Sequence, residues 1–190
     1  MASRLSVFTF LGVSLASGLA AQVTNRQTIG NLKATQNPGC IEAAKAEQSL
    51  TPPDLLLGAK ACVSKSEYDR AVRLVILLQL RAVYDSKRVT DKSARQAVQV
   101  LNITFADALS AREKKRFQAA YARFGGSGSQ AHTAFCKMAQ AGGPPEYTPT
   151  YMIQHGMGAF MGKSGNGLYA DFRPKAEWQK LLRNYLKCSP

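Results

Sequence analysis

The chain has 190 residues, 45% hydrophobic and 19% charged, which is enough apolar material for one buried core and excludes a disordered tail. Its 25 Lys and Arg against 12 Asp and Glu give a formal charge of +13, and four cysteines with two histidines leave little for a metal cluster. A single Trp and no low-complexity tract exclude mucin-like and collagen-like chains.

Residues 1–21 read as a secretory signal peptide. Arg4 supplies a short positive n-region, and Leu5 to Leu19 is uncharged and mostly apolar. Gly18-Leu19-Ala20 then places small residues where a signal peptidase reads. The apolar run is shorter than the roughly 20 residues of a membrane span and is rich in Ser and Gly. The expected location is therefore the periplasm, with membrane contact at most peripheral.

Residues 22–50 read as a polar N-terminal arm, followed by a single helical domain over 51–190. Gln22 to Gly39 is rich in Asn, Gln and Thr and has no periodicity, which predicts an extended or mobile segment. Thr51-Pro52-Pro53-Asp54 starts a helix running to about Val63, with Thr51 as cap and Pro52 in the first turn. Ser66-Glu67-Tyr68-Asp69 opens the next helix. Its stretch from Leu74 to Leu80 is apolar nearly all round and should form the centre of the fold.

Thr90 is the expected cap of a third helix, in which Ala94, Ala97, Val98, Leu101, Phe105 and Ala108 share one face. Ser110 with Glu113 forms a capping box, opening a helix with Phe117, Ala120, Tyr121 and Phe124 on one stripe. Gly125 to Ser129 reads as a flexible break. Helices follow around Gln130 to Ala141 and Tyr151 to Gln154, and Pro174 starts the last, with Trp178, Leu181, Leu182 and Tyr185 aligned. No segment shows sustained strand alternation. The expected class is all-α, with about six or seven helices packed as antiparallel hairpins.

Export also sets the cysteine reading. Cys40, Cys62, Cys136 and Cys188 form an even set, so two disulfides are expected. All three pairings are open. Cys40–Cys62 with Cys136–Cys188 is preferred, because each bond then ties an irregular or terminal segment to a helix. Cys188 continues the apolar stripe of the last helix, which should turn its sulfur inward.

Catalytic and nucleotide motifs fail on spacing. The run Gly156 to Ser164 has Met157 where a phosphate loop needs its first Gly, and Met161 where a dinucleotide fingerprint needs its third. His155 could be oriented by Asp171, but no nucleophile elbow or His-Glu-x-x-His pair accompanies it. It reads as a structural histidine bonded to a loop. No enzyme activity, cofactor, metal or nucleotide is expected.

Charge is the stronger signal. Arg70, Arg73 and Arg81 fall on one side of the central helix with Leu74 and Leu77 between them, and Lys87, Arg88, Lys92 and Arg95 follow. Lys114, Lys115 and Arg116 form a second cluster. Such basicity usually suggests nucleic acid, but the export signal argues against it. The mixture of Arg, Leu and Tyr84 over Arg81 to Arg88 has the composition of a protein-binding surface. The long Pro144 to Met157 segment carries Tyr and Met without helical spacing and is a candidate functional loop. Arg81, Lys87, Arg88, Tyr151, His155 and Met157 are therefore the expected partner-binding residues.

Thr51-Pro52-Pro53-Asp54-Leu55-Leu56, Cys62, Tyr68-Asp69-Arg70-Ala71-Val72 and Asp85 to Ala94 resemble small exported helical immunity proteins of Gram-negative bacteria. Tyr147 to Met157 and the closing Trp178 to Cys188 segment fit the same pattern. Those proteins protect a cell against type VI secretion effectors, in particular phospholipase D-type lipases. The resemblance implies a non-enzymatic inhibitor whose partner is a cognate toxic effector. The alternative is a periplasmic helical adaptor that binds anionic envelope components or a secretion-system protein.

Overall fold

The computed structural model describes residues 28–162 and 165–189. The expected signal segment and the first residues of the arm lie outside that range. The described residues form an all-α fold of eight helices stapled by two disulfides, Cys40–Cys62 and Cys136–Cys188. Strand pairing among them is confined to one bridge, Val89 with Leu168. No helix among them is long and apolar enough to cross a membrane.

Helix α1 (Pro52–Ser64) begins at a capping box in which Thr51 and Asp54 bond each other's backbone N–H, and its first residues are two prolines. Helix α2 (Tyr68–Arg88) is the axis of the molecule. Leu74, Val75, Ile76, Leu77, Leu78 and Leu80 are all buried, because neighbouring elements cover it on several sides. Full burial of each such side chain stabilises the fold by about 1.5–3 kcal/mol.

Helices α3 (Ala97–Asp107) and α4 (Ala111–Phe124) meet through Phe105 and Phe117, edge to face at 5.1 Å. Helix α4 starts at the Ser110–Glu113 capping box and ends at Gly125, whose φ of 78° favours a residue without Cβ. Ser129 caps α5 (Gln130–Gly142). Two single turns follow, α6 (Thr150–Ile153) and α7 (Met157–Phe160). The last helix, α8 (Pro174–Asn184), places Trp178 between Ala139, whose carbonyl accepts its indole N–H at 3.1 Å, and the edge of Tyr84.

Two local expectations are corrected. Thr90 caps no helix: its N–H and hydroxyl both donate to the Gly167 carbonyl. Asp91 does the capping instead, over a 3-10 turn (Lys92–Gln96) that leads into α3. Cys188 lies beyond the end of α8, past a left-handed Lys187, although it is still buried beside α5. The reason is the C-terminal turn, where the Cys188 N–H reaches back to the Leu182 carbonyl.

The described part of the arm, from Thr28 to Leu50, is not free of the domain. Asp54 is wholly buried and accepts from the Thr35 N–H at 2.6 Å and the Gln36 N–H at 2.8 Å, besides its capping role. Cys40 is bonded to α1, and Ala43, Ala46 and Leu50 enter the core. Polar composition concealed a segment fastened by the backbone N–H groups of Thr35 and Gln36, by a disulfide and by a few small apolar side chains.

Candidate functional site

The last two turns of α2 carry Arg81, Tyr84, Asp85 and Arg88 at three-four spacing, so all four share one face. That face continues the stripe of Leu74 and Leu77 and turns inward. Asp85 is 0% exposed. Its Oδ1 accepts from Nε and Nη2 of Arg88 at 2.9 and 2.6 Å. Its Oδ2 accepts from the hydroxyls of Tyr147 and Tyr151 at 3.0 and 2.8 Å. The Arg88 guanidinium lies over the Tyr84 and Tyr147 rings at 5.1 and 5.2 Å.

Burial pushes the Asp85 carboxyl above its ordinary value, opposed first by the charge of Arg88 and then by the hydrogen bonds it accepts. Burial and the neighbouring carboxylate push both phenols well above theirs. With four donors on its two oxygens, Asp85 has no lone pair left for a substrate. It is a positioning group for the Pro144–Gly162 loop.

Arg81 is the clearest correction to the expected interface. It is 1% exposed, and its guanidinium donates to the carbonyls of Glu47 (2.9 Å), Leu50 (2.6 Å) and Ala46 (3.2 Å) and to Oε1 of Gln48 (3.1 Å). Desolvation lowers its pKa, offset in part by Tyr147 and Asp85. The segment 46–50 needed a donor for its carbonyls, and a charge on the inward stripe supplies it. Arg88 and Tyr151 are likewise buried, brought together on Asp85 rather than on the surface. These three side chains cannot act as open contact residues.

The other candidates lie nearer the surface. Lys87 is exposed at the end of α2. His155 is half-buried, with Nδ1 2.9 Å from Oδ1 of Asn31, and burial lowers its pKa. It ties the loop to the N-terminal segment. Met157 is exposed, and so are two residues the sequence reading passed over, Phe160 and Met161.

These three belong to α7 and its end, which the backbone pins from below. The Gly158 N–H donates to Oδ2 of Asp91 at 2.6 Å, and the Met157 N–H donates to Oγ of Ser93 at 2.9 Å. Asp91 approaches so closely that a Cβ on Gly156 would stand 2.5 Å from its Oδ2. Any larger residue there would force the Asp91 side chain or the turn to shift.

Comparison of the chain with models of known families, with curated proteins and with solved structures finds no match. The site is therefore interpreted from its own geometry. Among the described residues, no group of His, Cys, Asp and Glu could hold a metal ion. The residues missed from sequence, Asp85, Tyr147 and Asp91, had one usable signal: Asp85 falls in register with the apolar stripe of α2, and a charge in register with a core stripe is buried with it.

Proposed function

We propose that the protein is an exported immunity protein that binds and neutralises a toxic effector in the periplasm, and that the α7 turn is its docking face. One observation carries this reading. Met157, Phe160 and Met161 are 55%, 54% and 60% exposed on a single turn whose backbone is fixed by Asp91 and Ser93. Large apolar side chains clustered in water are covered in a complex, and a turn already held in place loses little freedom on binding. A phospholipase is the effector class suggested by the resemblance in sequence. The chain's charge of +13 would speed its encounter with an acidic partner.

The test produces in the bacterial periplasm the products of the reading frames beside this gene, one of which should be toxic, and measures protection. Wild-type chain should rescue growth. The triple variant Met157→Ser, Phe160→Ser, Met161→Ser should fold normally and fail to rescue. Full rescue by that variant would remove the α7 turn from the interface, and no rescue by wild type would remove the immunity reading.

A further inference from the structure

Helix α4 carries Arg112, Lys114, Lys115, Arg116 and Arg123 against a single acid, Glu113. Glu113 closes the capping box, where its carboxylate accepts the Ser110 N–H at 2.8 Å and the Ser110 hydroxyl at 2.7 Å. Arg123 pairs with Asp69 at 2.7 Å, and Arg116 lies 6.0 Å from the centre of the Tyr68 ring. Among the described residues, Arg112, Lys114, Lys115 and Arg116 form no ion pair, and all four are exposed.

These four cations do nothing for the helix that carries them. They crowd its N-terminal half, where the positive end of the macrodipole disfavours positive charge. Arg112 also stands one turn from Lys115 and Arg116, and like charges at that spacing repel. The shape of the face narrows what balances them. Ala120 and Phe124 turn into the core, while Lys115, Gln118, Ala119 and Ala122 form the exposed line opposite. Beyond Lys115 that line is low, and it has no large apolar side chain to anchor in a protein pocket. Arg112 and Arg116 flank it on one edge. Lys114 and Tyr121, the latter 52% exposed, flank it on the other.

We propose that the outer face of α4 lies against an anionic phospholipid surface, held there by charge and not inserted. A plane of phosphates meets the cations on both edges of the helix at once, which a single acidic side chain does not. Each Lys or Arg near such a surface strengthens adsorption about fivefold, so four together hold the protein reversibly. The apolar stripe of α4 is spent in the core, which leaves none to bury in the acyl chains. Tyr121 then stands at headgroup level, where tyrosine is favoured. The face shares no residue with the α7 turn, and the proposal does not rest on effector binding.

The test uses the purified mature chain, which lacks the apolar Leu5 to Leu19 stretch and its own affinity for lipid. Co-sedimentation is measured with vesicles of phosphatidylcholine alone and of phosphatidylcholine mixed equally with phosphatidylglycerol. The chain should bind only the anionic vesicles, and about 1 M salt, which screens charges beyond roughly 3 Å, should release it. The variant Arg112→Gln, Lys114→Gln, Lys115→Gln, Arg116→Gln should bind at least about tenfold more weakly. A control of the same net charge, Lys45→Gln, Lys65→Gln, Lys137→Gln, Lys175→Gln, removes exposed cations elsewhere and should keep most of the wild-type affinity. Lys115→Glu alone, on the exposed line, should weaken binding about fivefold or more with an unchanged circular dichroism spectrum. Equal loss in the two quadruple variants would reduce the effect to overall charge and overturn the proposal. So would a failure to bind the anionic vesicles, or α4-dependent binding of soluble polyglutamate in their place, which would assign the face to an acidic protein.

Discussion

Tyr151 donates its phenolic hydrogen to Oδ2 of Asp85 at 2.8 Å, joining positions 66 residues apart in the chain. Tyr147 reaches the same oxygen at 3.0 Å, so one carboxylate on α2 sets where the Pro144–Gly162 loop lies. The loop is long and poor in apolar spacing, and this polar anchor replaces the packed stripe that fixes a helix.

Asp85→Ala should accordingly be among the most damaging single changes. It leaves the buried Arg88 guanidinium without its ion-pair partner, and the buried Tyr151 and partly buried Tyr147 hydroxyls without an acceptor. The expected loss is roughly 3–5 kcal/mol in urea unfolding. Tyr151→Phe removes one hydrogen bond to a charged group and should cost about 1.5–3 kcal/mol. A cost for Asp85→Ala no larger than that of Tyr151→Phe would contradict this anchoring role.

The same two phenols set an alkaline limit. Both have folded values above the ordinary 10.0, raised first by burial and then by Asp85. In the unfolded chain they ionise near 10.0, so ionisation there favours unfolding. Their contribution is intact below that pH and is lost as pH rises through it towards the folded values. Stability measured from pH 8 to 11 should therefore fall above about pH 10. In Tyr147→Phe with Tyr151→Phe the curve should start lower and fall less steeply.

Arg81→Glu should disrupt the fold rather than change the rate of partner association. The substitution places a carboxylate among the carbonyls of Ala46, Glu47 and Leu50, all acceptors, inside a buried site. Arg81→Met keeps the apolar stem and leaves those carbonyls without their donor. It should cost at least roughly 3 kcal/mol, since hydrogen bonds to charged groups count for about 1.5–3 each. Amide exchange should then speed up in residues 43–50 before it does in α1.

Gly156→Ala tests the fixing of the α7 turn. The added methyl meets Oδ2 of Asp91 at 2.5 Å and Ala94 Cβ at 3.0 Å, so the turn must move away from α3's leading 3-10 turn. Faster exchange of the Gly158 amide with little change in global unfolding is the expected result. On the proposed immunity reading, protection of cells should fall in the same variant. An unchanged Gly158 amide would show that Asp91 does not hold the turn.

The chain's local pattern determined most of the helices. Leu74 to Leu80 marked the buried axis, Ser110 with Glu113 marked the start of α4, and Thr51 with Asp54 marked that of α1. An even number of cysteines favours two disulfides, and the structure has the pairing that ties an irregular or terminal segment to a helix each time. What the tertiary structure alone decided is the fate of the polar groups. Spacing places Arg81, Asp85 and Arg88 on the core stripe of α2, but the acceptors of Arg81 come from 31 to 35 residues away and the tyrosines on Asp85 from 62 and 66. A buried charge is tolerated only where such distant partners arrive together, and local periodicity carries no record of their arrival.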